Sequence, residues 1–388
     1  MLAHRLPYPP DTGDKVRAYQ MAHHLARHHS LTLGCLCDDP RSAWAAEQLR
    51  QTLGDVEVES VSRRWNRAVA LGTLLTGGSA TISYFSSTRL RRRIAQRLRA
   101  APYDLLYISS SSMAQYATDF PDIPMLLDLV DVDSDKWVQY GRRLGFPRGW
   151  IYSLEGRRLR VHERDAAQRA VSALVVTEAE AFLLRELSSS KSVFVVPNGV
   201  DLTYFTPRAA PRQAPIIVFT GAMDYFPNVD AVTWFCQAIL PAIRTAVPGV
   251  EFFIVGKNPT PAVRRLGRTA GVRVTGTVPD VRPFLADAAL AVAPLRVARG
   301  VQNKVLEAMA AGLPVVATPN AHEGITAIAG RDLFVEHEPD GFAESVVTLL
   351  RNGVLRKEVG LRARQFVETN YSWDAAFRRL DQIIDSLH

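Results

Sequence analysis

Residues 289–318, ALAVAPLRVARGVQNKVLEAMAAGLPVVAT, carry the pattern on which the fold reading turns. A continuous apolar run ends at Leu295. A basic loop containing Gly300 follows, and a helical stretch begins near Gln302 or Asn303. That helix meets Gly312, a residue suited to the position just past a helix end, with Pro314 beyond it and a second apolar run, PVVAT, after that. Apolar runs without polar alternation, separated by a helix, mark strands of a parallel sheet buried on both faces.

The same alternation extends in both directions. Upstream lie IIVFTG (216–221), EFFIVG (251–256) and VRVTG (272–276). An earlier series comprises SLTLGCLC (30–37), DLLYIS (104–109), PMLLDLV (124–130), ALVVT (173–177) and VFVVP (193–197). The doubly wound α/β pattern therefore occurs twice. LTYFTPRAAPRQAP (202–215), rich in Pro, Ala and Arg and without apolar periodicity, reads as the linker. The expected division is 1–200 and 201–370, each of a size that suits one Rossmann-like domain, with an amphipathic helix at 371–388. Asp14 and Asn228 are read as caps of the helices that follow them. The opening strand, MLAH, is shorter than a buried parallel strand usually is, which reads as a start placed downstream of the true one.

Composition narrows the class. With 47% hydrophobic and 22% charged residues the chain is neither disordered nor membrane-spanning, and no apolar run reaches the ~18 residues a transmembrane helix needs. Three cysteines make no disulfide framework, and Cys35 and Cys37 read as buried small hydrophobes. A cytoplasmic location fits, and no signal peptide is apparent. The net charge of +7 is carried in the first half almost wholly by Arg, which favours phosphate and carboxylate partners. No aromatic-rich basic groove accompanies it, so nucleic acid is not expected.

In an open parallel sheet ligands sit beyond the carboxyl ends of the strands, and a helix N-terminus there suits a diphosphate. Gly300, Val301, Gln302 and Asn303 supply that helix start, and Arg296, Arg299 and Lys304 add positive charge. Lys304 and Glu307 are three residues apart and share a helix face, so Lys304 can reach a phosphate while Glu307 accepts from ribose hydroxyls. Lys257, after EFFIVG, is a further donor-side candidate.

VFVVPNGVDLTYFTP (193–207) followed by KVLEAMAAGLPVVAT resembles the family 4 glycosyltransferases. PYPPDTGDKVR, DLVDVDSDKW and ARGVQNKVLEAMA are similar to the sugar transferases of PEP-CTERM/exosortase exopolysaccharide loci. The resemblance implies a GT-B fold: two Rossmann-like domains facing a cleft, the second holding a UDP- or GDP-linked sugar, the first a glycan or lipid-linked acceptor. It also implies that the last helix crosses back to the first domain, and that the reaction retains anomeric configuration with no metal and no cofactor. The family's pattern of two glutamates eight residues apart is met only at its second position, Glu307, because Arg299 stands at the first. The Arg and Lys usual after the second domain's first strand are also absent from TGAMDYFPN (220–228). Two other readings stay open: a nucleotide-sugar epimerase or hydrolase on the same fold, and a degenerate member that binds a glycan or a partner.

On the acceptor side, Gly13, Asp14, Lys15 and Arg17 in PPDTGDKVR open a helix near the expected cleft. Asp131, Asp133 and Asp135 alternate near a strand end, and Asp131 is the candidate base or acceptor-orienting group. Lys304, Arg299 and Asp131 form the expected catalytic set. His23, His24, His28 and His29 read as a solvated helix face rather than a metal site. RRWNRAVALGTLL (63–75) and RLRRRIAQRLRA (89–100) are candidates for peripheral contact with the inner face of a membrane.

Overall fold

The computed structural model describes residues 1–38, 42–207, 214–298 and 300–387. The chain divides into two compact units, Met1–Pro197 with Arg379–His388, and Asn198–Arg378.

The first unit is built on seven parallel strands: β1 (Leu2–Ala3), β2 (Thr32–Cys37), β3 (Asp55–Ser60), β4 (Leu106–Ser109), β5 (Met125–Val130), β6 (Ser172–Val175) and β7 (Val193–Val195), in the order β3-β2-β1-β4-β5-β6-β7. β1 is central although only two residues long, with Leu2 paired to Gly34 on one side and to Ile108 on the other. Every strand pair is parallel, so each connection crosses over through helical chain, and β2, β4, β5 and β6 are almost wholly buried. β3 is the exception to the apolar pattern. It is an edge strand whose Glu57 and Glu59 face Arg93 and Arg97 of the Thr88–Ala100 helix.

The second unit has six parallel strands: β8 (Ile216–Thr220), β9 (Glu251–Val255), β10 (Val272–Gly276), β11 (Leu290–Ala293), β12 (Val315–Ala317) and β13 (Phe334–Val335), in the order β10-β9-β8-β11-β12-β13. Its core joins both sheet faces, from Phe219, Phe252 and Ile254 to Phe235, Met309 and Phe342 on the covering helices. In both units the strand order reverses beside the first strand, which places a crevice at the strands' carboxyl ends.

Three local expectations are corrected. Thr12, not Asp14, stands at the N-cap position of the Gly13–His28 helix, without a side-chain capping bond; Asp14 lies in the first turn and pairs with His4 and Arg5 at 3.3 Å each. The Phe226–Trp234 helix starts from Tyr225, so Asn228 sits inside it. The strand before Asp131 stops at Val130, and Asp133 and Asp135 belong to the next helix, Asp133–Arg143, so the three aspartates do not alternate along a strand.

Arg17 departs furthest from its expected acceptor-side place. It is 1% exposed and points into the sheet, where Nε and Nη2 donate to Asp128 and Nη1 donates to the Val196 carbonyl at 2.9 Å. Tyr107 donates to the same carboxylate at 2.5 Å. Burial alone would lower the Arg17 pKa, but Asp128 overrides it and raises it. The guanidinium is thus a structural strut joining the first helix to β5 and to the chain leaving β7. Removing one member strands the other charge in the core, which typically costs about 3–5 kcal/mol, whereas an apolar replacement of both is far cheaper. Arg17→Met is expected to lower the urea midpoint of unfolding by that order, and Arg17→Met/Asp128→Leu to recover most of it. Equal loss in the single and double variants would contradict this.

Candidate functional site

In the second unit the carboxyl ends of β8 and β9 are pressed together. A Cβ on Gly256 would lie 1.6 Å from the Gly221 carbonyl oxygen, so only glycine fits there. A Cβ on Gly221 would in turn meet the Asn228 side chain at 2.7 Å. These two glycines let Asn228, 4% exposed, lie across the end of β8. Its Nδ2 donates to the Ala222 carbonyl at 2.9 Å, which turns Oδ1 the other way. Oδ1 accepts from Lys304 Nζ at 2.5 Å, and the ammonium also lies 5.0 Å from the centre of the Phe219 ring.

Lys304 is the second residue of the Asn303–Ala310 helix, with Gln302 at its cap and Glu307 one turn on. The loop from β11 to this helix is held from several sides. Leu295 and Val297 are buried, and Thr318, at the end of β12, donates to the Leu295 carbonyl at 2.5 Å. Gly300 adopts a φ of 64°, in the left-handed region, and packs against Gly324. A Cβ at Gly324 would stand 2.2 Å from the Gly300 oxygen. Asn198 Nδ2 donates to Asn303 Oδ1 at 3.4 Å. The two segments that carry the family resemblance, about 100 residues apart, therefore meet at the head of one helix. The first-turn N–H groups of that helix have no intrahelical acceptors by construction, and the positive end of its dipole lies there.

Lys304 and Glu307 keep some exposed surface, yet the protein around them desolvates both. Desolvation pulls the Lys304 pKa down from 10.5 to about 8, against the attraction of Glu307. Desolvation pushes Glu307 up from 4.5 to about 7, against the attraction of Lys304. An arriving anion would restore the charge of the first, and hydroxyl donors would favour the charged form of the second.

The remaining donor-side candidates are unequal. Gly300, Val301, Gln302 and Asn303 line the helix start. Arg296 is committed elsewhere: it forms a forked ion pair with Asp230 and lies over the Trp234 ring at 5.5 Å. Lys257 follows β9, its carbonyl accepting from the Met223 N–H at 2.8 Å. Arg299 lies outside the described residues. Sequence reasoning did not single out Asn228 as more than a cap, nor Gly324 or Thr318 at all. Asn228 had one signal, its place a few residues beyond β8. Gly324 had none.

In the first unit, Gly13 is exposed at the start of its helix, and Lys15 pairs with Asp11 at 3.2 Å. Asp14 is held well below the usual carboxylate range, because His4 and Arg5 outweigh the effect of burial. Asp131 follows a residue of unusual geometry: Val130, β-branched, has a φ of 69°. The turn is fixed by Glu180, 2% exposed, which accepts from the Val132 N–H at 2.7 Å. Under the next helix lies Glu163, fully buried and 3.3 Å from the Ser134 N–H. Burial, reinforced by Asp133, pushes its pKa up to about 8. His24 is not on a solvated face: it is 7% exposed and 2.6 Å from Asp381. No group of three or more metal-ligating side chains occurs among the described residues. No helix among them is long and apolar enough to cross a membrane.

Residues 214–352 match the sequence model of the family described as glycosyl transferases group 1. Among curated proteins, the chain is 27% identical over 236 residues to a GDP-mannose-dependent monoacylated alpha-(1-6)-phosphatidylinositol monomannoside mannosyltransferase of Corynebacterium glutamicum. It is 26% identical over 223 residues to one of the subunits of the phosphatidylinositol N-acetylglucosaminyltransferase of Homo sapiens. The matches cover 55% and 54% of this chain, and 62% and 44% of those relatives' own lengths. Among solved structures, sucrose-phosphate synthase of Thermosynechococcus elongatus superposes with a TM-score of 0.71 at 16% identity, over 100% of this chain and 98% of that one. HepE of Anabaena, solved with UDP and glucose, superposes with a TM-score of 0.69 at 15% identity, over 99% and 98%. The chain thus has the GT-B fold over its whole length, and residues 214–352, inside its second unit, match the model of the glycosyl transferases group 1.

Proposed function

We propose that the chain is a glycosyltransferase of the hexosyltransferase type. It moves a sugar from a UDP- or GDP-linked donor to a glycan or lipid-linked acceptor. The anomeric configuration is retained and no metal ion is used. Its setting is exopolysaccharide assembly of the PEP-CTERM/exosortase-associated kind. The observation that carries the reading is the desolvated Lys304, aimed by Asn228 at the crevice beyond β8 and β11, with Glu307 one turn behind it on the same helix. The names of the relatives support it: one neighbour was solved with UDP and glucose, and one relative is named as GDP-mannose-dependent.

The chemistry follows from where charge develops. As the bond between the anomeric carbon and the diphosphate breaks, negative charge grows on the departing phosphate. The Lys304 ammonium and the N–H groups at the head of the Asn303–Ala310 helix face that charge and are already in place, so no reorganisation is needed as it appears. Poor solvation strengthens the attraction relative to a lysine in water. Glu307, as a carboxylate, accepts from the ribose hydroxyls and fixes the nucleotide along the helix. Asp131 is the acceptor-orienting group, held on a turn that Val130 and Glu180 define.

The first test is a thermal-shift screen without added metal against UDP, GDP, ADP, TDP and CMP. One diphosphate should raise the melting temperature. Glu307→Gln should weaken that ligand through loss of hydrogen bonds to a charged acceptor, each worth about 1.5–3 kcal/mol. No response to any of the five, or unchanged affinity in a folded Glu307→Gln protein, would sink the assignment.

The pH dependence provides a second test. Affinity for the diphosphate should rise as pH climbs through about 7, where Glu307 ionises, and fall above about 8, where Lys304 loses its proton. Calorimetry across this range should give a bell, and Lys304→Met should remove its alkaline limb. A profile flat through both values would take the two residues out of the site.

A further inference from the structure

The Arg63–Leu75 helix is folded with its apolar side outward. Its inward side is anchored in part by polar groups. Asn66 is buried and donates to the Tyr84 carbonyl at 2.7 Å, and Ala70 is buried beside it. At the end of the helix the Leu74 carbonyl accepts from Arg158 at 2.6 Å. The opposite face presents Trp65, 70% exposed, Leu71, 62%, and Leu75, 87%, with Val69 at the stripe's edge. At 1.5 Å per residue the stripe from Trp65 to Leu75 is about 15 Å long and one helix wide.

The charge around this stripe has one sign. Between Glu59 and Asp104 the chain carries nine Arg and no Asp, Glu or Lys. Arg63 reaches back to Asp38 at 2.8 Å, but Arg64 and Arg67 are exposed and make no ion pair with any described residue. The other basic helix of this stretch is different. Arg91, Arg93 and Arg97 of Thr88–Ala100 are taken up by Asp119, Glu57, Glu59 and Asp55. Three of its six arginines are spent on the chain's own carboxylates, and none of its large apolar side chains is exposed, whereas Arg63–Leu75 combines an exposed apolar stripe with Arg64 and Arg67 unspent.

We propose that the Arg63–Leu75 helix is a membrane-docking element that lies flat in the interface of an anionic bilayer. Trp65, Leu71 and Leu75 enter the headgroup–acyl boundary, and Arg64 and Arg67 meet lipid phosphates. A narrow apolar stripe with an interfacial Trp and unpaired flanking arginines is what such a helix requires. A stable protein partner would need about 800 Å² of each surface, more than a strip one helix wide supplies. Docking of this kind requires nothing of the donor site, so it stands or falls apart from the transferase reading.

The test is flotation of the full chain with vesicles of phosphatidylcholine alone, or with about one-third phosphatidylglycerol. The chain should float with the anionic vesicles and roughly tenfold less with the neutral ones. Trp65→Ser/Leu71→Ser/Leu75→Ser should reduce anionic binding at least tenfold while its thermal unfolding stays at or above that of the parent, since these side chains leave no cavity. Arg64→Gln/Arg67→Gln should weaken binding and flatten its salt dependence. The proposal is overturned if the parent does not float with anionic vesicles, or if the serine variant floats equally well. It is also overturned if the parent is a dimer that the serine variant makes monomeric with no vesicle binding in either, which would assign the stripe to a second copy of the chain.

Discussion

A lysine ammonium at the rim of the second sheet, with one amide oxygen for a neighbour and an aromatic ring beneath it, is costly to maintain. Bringing its pKa from 10.5 to about 8 corresponds to at most about 3 kcal/mol of disfavoured charge. Glu307 bears a cost of the same kind, and the two form no direct ion pair that would cancel it. The surrounding structure reads as the support that this arrangement demands. Two glycines bring β8 and β9 close enough for Asn228 to lie across them, Thr318 anchors the loop after β11, and Gly324 leaves room for the Gly300 turn. None of these contacts adds much apolar burial. Their common effect is to fix where one positive charge sits.

The first unit handles buried charge in the opposite way. Arg17, Asp128 and Tyr107 satisfy one another within the core. Glu155 accepts from Ser79 Oγ and from the Ala80 and Thr81 N–H groups, closing the N-terminus of a short helix. Glu180 accepts from the Val132 N–H. Such groups stabilise a particular backbone path, and their charges are answered from inside the protein. Glu163 stands apart, pushed towards its neutral form by burial beneath the helix that follows Asp131. The distinction between charges answered internally and charges left underserved separates scaffold from candidate site more cleanly than exposure does. Arg17 and Lys304 are both basic, both near strand ends and both drawn from motif-like segments, yet only Lys304 is left in a state that an anion would improve.

Much of this was legible in the sequence, and the physical reasons for the rest are specific. The strands of a parallel sheet read well because burial on both faces removes polar alternation, and the well-buried ones were found. β3 was missed because, as an edge strand, it carries Glu57 and Glu59 for the arginines packed on it. β13 was missed because two residues carry no period. That Lys304 and Glu307 stand one turn apart on a helix after a strand was readable from their spacing. Asn228 was read as a cap because Asn favours that role, and its real place depends on two glycines that bring separate strand ends together. Gly324 is invisible without coordinates, since its role is to be small opposite Gly300. Arg17 was misplaced for a related reason: the sequence shows a basic residue on a helix but not which carboxylate, 111 residues away, lies under it.

Counting basic residues near the helix start would suggest shared labour among Arg296, Lys304 and Lys257, but the geometry argues for concentration. Arg296 is half-exposed, neutralised by Asp230 and stacked on Trp234, so its field at the crevice is largely cancelled and further weakened by solvent. The dipole of an eight-residue helix acts within its first turn, and Lys304 is the second residue of that turn. Local N–H groups and one poorly solvated ammonium therefore act at the same spot, where the effective dielectric is low and each is worth more than on an open surface. An extra surface arginine would raise the attraction felt at a distance without deepening the well at the phosphate. On the proposed transferase reading, the arrangement favours stabilising charge that appears during a reaction over merely collecting anions, which gives a reason for the cost of holding Lys304 there.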